Sequence, residues 1–234
     1  EQLRIADQML AYVGNAMGTA LPPRGWLIAA AMMQAAVLML AFAAIGAALA
    51  QRYGLLSLIA HRTGWKAFRS GILPAMASGA LLGCLFLLLD RLVFRPMEAE
   101  YFDNAAALAG TPAEALLLGL FYGGVGEEIM ARWGLMSLFC WVACRFAGTA
   151  NECSTVATWY AIVLSAVLFA LGQLPAAEFH GPLNAALITR IMLMNTLAGV
   201  IFGWLFRRYT LESAMLSHAM VPIVLFAAVL GGWA

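Results

Sequence analysis

Glu127, Glu128 and Arg132 stand in the run FYGGVGEEIMARWGLMSLF, residues 121–139, where the other side chains are apolar, aromatic or small. At about 100° per helical residue, Glu128 and Arg132 are i and i+4 neighbours on one face and can neutralise each other, while Glu127 points about 100° away. A carboxylate turned toward a wet cavity can take a proton from water and act as a general base. Each ionised side chain at the centre of a spanning helix costs about 2.5 to 3.5 kcal/mol, so three together must be compensated. A packing ion pair would account for Glu128 and Arg132. The second carboxylate, Glu127, favours chemistry or transport.

Two other apolar runs carry polar groups that could converge on this cluster: Gln173 in LFALGQLP and His218 in SHAMVP. A lone histidine in such a run is as often a packing residue as a functional one, and the company of the carboxylates raises the weight of His218. Counting along the helices puts Gln173 near the outer end of its span and His218 near the inner end of its own. The two are therefore not expected to meet unless a helix boundary lies elsewhere or PAAEFHGPLN, residues 175–184, dips back into a cavity lined by protein. Asn184, Arg190 and Asn195 are explained by hydrogen bonds between helices, and Gly199 and Gly203 by close helix approach. His61 and His180 fall in loops and are read as solvated or interfacial. Cys84, Cys140, Cys144 and Cys153 lack C-x-x-C spacing and are read as packing residues, without disulfide or metal roles.

These residues must be positioned by membrane-spanning helices. Of 234 residues, 64% are hydrophobic and 11% charged, against roughly a quarter charged in soluble domains. Apolar runs at 26–50, 71–94, 113–146, 156–175, 185–207 and 212–231 are each long enough to cross a hydrocarbon core about 30 Å thick. The expected fold class is all-α, a polytopic transmembrane helix bundle. It has six spans, or seven if Gly123, Gly124 and Gly126 break the third. Residues 1–25 predict an N-terminal interfacial amphipathic helix, stopped by Pro22 and Pro23, ahead of a single domain over 26–234. The first long run is too long for the apolar region of a signal peptide, so it is expected to remain in the membrane. Arg52, His61, Arg62, Lys66 and Arg69 make the first loop cytoplasmic by the positive-inside rule, and a six-span count returns Arg145, Arg207 and Arg208 to that side. A net charge of +1 without a basic stripe excludes a nucleic-acid partner. The bilayer itself is the expected surroundings.

Taken with their order and spacing, these residues resemble the CAAX protease and bacteriocin-processing family of intramembrane proteins, which includes CAAX prenyl endopeptidases. The family's E-E-x-x-x-R motif is matched by Glu127, Glu128 and Arg132. Its F-x-x-x-H motif is matched at Phe169 but has Gln173 in place of histidine, and its H-x-x-x-N motif is matched at His218 but has Pro222 in place of asparagine. The resemblance covers roughly residues 113–231.

The resemblance implies a metal-independent endopeptidase in which Glu127 activates water, with Gln173 at the position of its partner, while His218 donates to the oxyanion and Glu128 and Arg132 position the site. Phe169 and Asn195 are supporting candidates. No cofactor is expected, and the implied partner is a membrane-presented peptide or lipidated protein, in a bacterial-type cytoplasmic membrane. Gln173 cannot take a proton as imidazole does, and Pro222 supplies no donor. A weakened member that binds a membrane partner in an immunity or regulatory role is thus a competing expectation. An ion-coupled transporter is a third, disfavoured by the absence of repeated halves. Zinc held by Glu127, Glu128 and His218 lacks the H-E-x-x-H pattern.

Overall fold

The computed structural model describes residues 24–61, 64–108, 110–146 and 153–233. The predicted amphipathic segment, through residue 23, lies outside the described residues. The chain divides into two compact units, Glu1–Leu40 and Ala41–Ala234. Of the first, residues 24–40 are described, and they are helical. The site and the cavities described below lie in the second unit.

Long helices dominate, and among the described residues there is no strand. We number them α1 (Arg24–Leu49), α2 (Trp65–Met97), α3 (Ala99–Leu108), α4 (Pro112–Phe146), α5 (Thr155–Gly172), α6 (Ala185–Arg208) and α7 (Leu211–Leu230). All but α3 contribute one of six segments long and apolar enough to cross a membrane. The chain is therefore an integral, multi-pass membrane protein of the all-α class. Large apolar side chains such as Leu73, Phe121 and Tyr160 point outward, as expected where lipid is the solvent.

Helix starts follow from local sequence. Ser154 accepts a hydrogen bond from Ala157 N, Asn184 from Leu187 N and Thr210 from Ser213 N. Thr111 and Glu114 form a reciprocal capping box ahead of α4. Each satisfies a backbone donor that the first helical turn leaves free. The glycines of α4 do not break it, as the six-span reading expected: it runs unbroken over 35 residues, with two π-helical stretches, Gly119–Glu127 and Ile129–Met136.

Small residues bring the helices close. A methyl group at Gly199 would strike Ala166 of α5, and one at Gly79 would strike the Ser217 carbonyl of α7. At one end of the unit, Arg190 of α6 makes a two-pronged ion pair with Asp90 of α2, both contacts 2.6 Å, and its guanidinium lies over Phe102 of α3. Asn184 donates to Glu98 beside it, and His180 meets the Tyr101 ring edge-on.

The cysteine expectation is corrected in part. Cys144 and Cys153 are joined by a disulfide, while Cys84 and Cys140 are free. The chain leaves α4 at Phe146 and returns at Cys153, which brings the two α-carbons to 5.5 Å, inside the range a disulfide spans. C-x-x-C spacing is no requirement for such closure. In a reducing cytoplasm the same pair would stand as two thiols.

Candidate active site

The two carboxylates lie at the junction of the π-helical stretches of α4, and π turns inside α-helices occur frequently at functional sites. Glu128 is fully buried and Arg132 is 1% exposed; Glu128 Oε1 lies 3.3 Å from the Arg132 guanidinium. His218 Nδ1 of α7 reaches the same oxygen at 2.8 Å. One carboxylate oxygen thus holds a cation on its own helix and an imidazole from another.

Arg132 lies between two aromatic faces, its guanidinium carbon 5.3 Å from the Phe169 ring centre and 5.4 Å from that of Phe202. Desolvated contacts of this kind contribute about 2 kcal/mol, which offsets part of the cost of burying the cation. Phe202 also stacks on the His218 ring, centroids 4.8 Å apart. The sequence singled out Phe169 and passed over Phe202, although its place between Gly199 and Gly203, on the face of α6 built for close approach, could have marked it.

Removing one member of such a buried pair strands the other charge. Arg132→Met is therefore expected to destabilise the fold by about 3 to 5 kcal/mol. Arg132→Met with Glu128→Leu is expected to cost less than the sum of the single changes. Thermal melts of the purified variants in one detergent check both statements.

Glu127 differs from its neighbour. Its side chain is 13% exposed, against 0% for Glu128, so it is the carboxylate that a small molecule can approach. Gln173 Nε2 donates to Glu127 Oε1 at 3.3 Å, and His218 Nε2 stands 3.8 Å from Glu127 Oε2. The expectation that Gln173 and His218 would not meet is thus overturned: both reach Glu127. Thr210, ahead of α7, is fully buried and Leu211 N donates to Leu56 O, so the start of α7 is fixed by tertiary packing that counting residues does not see.

Asn195, a supporting candidate, donates to Ile191 O on its own helix at 2.9 Å, and its described hydrogen bond does not go to the carboxylates. Pro222 lies within α7 against Gly119. Among the described residues, no three His, Cys, Asp or Glu side chains are grouped as a metal ion would require.

Residues 109–224 match the family described as type II CAAX prenyl endopeptidase, Rce1-like. That interval contains every residue of the cluster. The chain belongs to the CAAX-protease-like family. No curated protein and no solved structure matches it. For this CAAX-protease-like protein, the family supports an intramembrane endopeptidase with the lipid bilayer and a membrane-associated substrate as its surroundings.

Proposed function

We propose that the protein cleaves a peptide bond of a membrane-presented substrate, with water activated by Glu127. The observation that carries this reading is the contrast between the two carboxylates. Glu128 is sealed and occupied by Arg132 and His218, whereas Glu127 stays accessible between Gln173 and His218.

In the proposed reaction Glu127 takes a proton from water as the hydroxide adds to the scissile carbonyl carbon. His218 Nε2–H donates to the oxyanion, while its Nδ1–H donates to Glu128. An imidazolium at His218 allows both donations and brings the four side chains Glu127, Glu128, Arg132 and His218 to zero net charge, which favours them in a low-dielectric site. The protonated Glu127 then passes its proton to the departing amine, the C–N bond breaks, and the new carboxylic acid gives its proton to the amine, so that a carboxylate and an ammonium leave. Donors aimed at a developing oxyanion contribute about 10² to 10³ in rate each, and Pro222 supplies none.

A C-terminal peptide carrying a prenyl group is the substrate class that the family description suggests, and a bacterial-type cytoplasmic membrane is the location we propose. The site residues are Glu127 as base, Gln173 as the group orienting water, His218 as oxyanion donor, and Glu128 with Arg132 as positioning residues. One observation favours a second reading, a weakened member that binds without cutting: the Gln173 amide donates to the Glu127 carboxylate and cannot take up a proton.

The test is cleavage of vesicle-presented peptides, prenylated and unprenylated, by purified protein with and without a metal chelator. Cleavage that survives the chelator is the expected result. Silence toward the whole panel, with peptide still bound, supports the second reading.

A further inference from the structure

Two cavities lie against α5, away from the carboxylate cluster. The first, about 470 Å³, is lined by Gly54, Thr158, Trp159, Trp204, Arg207 and Arg208, among others. Among the described residues, no carboxylate lines it and neither arginine pairs with an acid. Arg208 stacks over Tyr209 with its guanidinium carbon 5.6 Å from the ring centre, and both arginines are exposed. Arg52, Lys66 and Arg69 are exposed on the segment that leads to Gly54 and Ala67 in the cavity wall. Glu212 is the acid nearest in the chain, and it is engaged by Ser57 Oγ at 2.7 Å and Ile59 N at 3.3 Å. Among the described residues, no acid is recorded in an ion pair with the cations of this end.

The second cavity, about 530 Å³, follows the outward face of α5 from Thr155 to Val167. Its wall is almost wholly apolar, with Val156, Tyr160 and Val163 exposed. Thr155 and Trp159 line both cavities, so the two lie side by side on α5. From Val156 to Val167 the helix advances about 17 Å, close to half of a hydrocarbon core about 30 Å thick. That is the depth of one leaflet. Trp159 at the junction and Trp204 in the basic cavity suit the level of the headgroups, where tryptophan is enriched.

We propose that the two cavities form one site for an anionic phospholipid, its phosphate held by Arg207 and Arg208 and an acyl chain laid along α5 from Val156 to Val167. Guanidinium groups bind phosphate oxygens two at a time, and basic pockets between spanning helices suit acidic headgroups. A free phosphate would leave the apolar half unused. Val167 ends the apolar cavity on the outward face of α5, whereas Phe169 under Arg132 points about 200° round the helix from it. The lipid site is therefore separate from the carboxylates and does not depend on their proposed role.

The experiment is native mass spectrometry of the purified protein with equal amounts of phosphatidylglycerol and phosphatidylcholine. Phosphatidylglycerol is expected to be retained preferentially. Arg207→Ala with Arg208→Ala is expected to lower its retention roughly 25-fold, each basic residue near an anionic surface contributing roughly a factor of five. Arg52→Ala with Arg69→Ala, the same loss of charge outside the cavity, is expected to lower retention far less. Val163→Trp, which fills the groove, is expected to reduce it. Should the arginine double variant not fold, Arg208→Gln alone carries the test with a roughly fivefold loss. Equal retention of the two lipids, an equal loss in the Arg52 and Arg69 variant, full retention in Val163→Trp, or displacement of the lipid by millimolar inorganic phosphate would each overturn the proposal.

Discussion

Glu127→Gln is expected to lower the rate of peptide cleavage by about 10² to 10⁴ at saturating substrate, the range that general acid–base catalysis contributes. The substitution keeps the shape of the side chain and removes only its ability to accept a proton. Stability should change little, because the buried ion pair is made by Glu128 and Arg132 and Glu127 is the partly exposed neighbour. Loss of kcat with a near-constant KM and an unchanged melting temperature is the pattern expected of a base that acts in the transition state. Glu128→Gln gives a different pattern. It weakens contacts to Arg132 and His218 together, so it is expected to lower stability and rate at once. If Glu127→Gln cleaves as fast as the parent chain, the assignment of the base fails, whatever Glu128→Gln does.

The parts of this site that were legible in the sequence are those governed by local geometry or by the solvent. Lipid demands long apolar runs, so six spans and their approximate ends could be read directly. Glu128 and Arg132 pair because they are separated by one helical turn, a relation fixed by the chain itself. The approach of Gln173 and His218 to Glu127 was not legible, since it depends on where α7 starts, and the burial of Thr210 and the bond from Leu211 N to Leu56 O arise from tertiary packing. Phe202 escaped notice because an aromatic residue in an apolar helix carries no signal of the cation it faces. The Cys144–Cys153 bond depends on the path of the chain between two helices rather than on spacing. The π-helical turns of α4 likewise have no marker in the sequence beyond its glycines.

Gln173→His is expected to raise cleavage by up to about 10² to 10⁴, the contribution of a well-placed proton acceptor or donor. In the present chain the Gln173 Nε2–H group points at Glu127 Oε1 from 3.3 Å. That amide can orient a water through its carbonyl, yet it holds part of the carboxylate that must receive the proton. An imidazole at position 173 reaches to a similar distance and can exchange a proton with water or with the departing amine. The gain should vanish when Glu127→Ala is added, because the two groups act on one water. The other departure from the motif is less open to repair. Pro222→Asn restores an amide donor, but the side chain must turn from Gly119, which Pro222 now contacts, toward the oxyanion beside His218. A gain from Gln173→His that needs Glu127 would mean that the missing proton acceptor limits the reaction in an otherwise assembled site. Equal rates in the parent chain and Gln173→His would mean that orienting water is all that position 173 does, and silence in both would mean that the loss of the donor at Pro222 is decisive or that the protein binds without cutting. Adding Pro222→Asn to Gln173→His separates these two, since only the first can be rescued by restoring a donor.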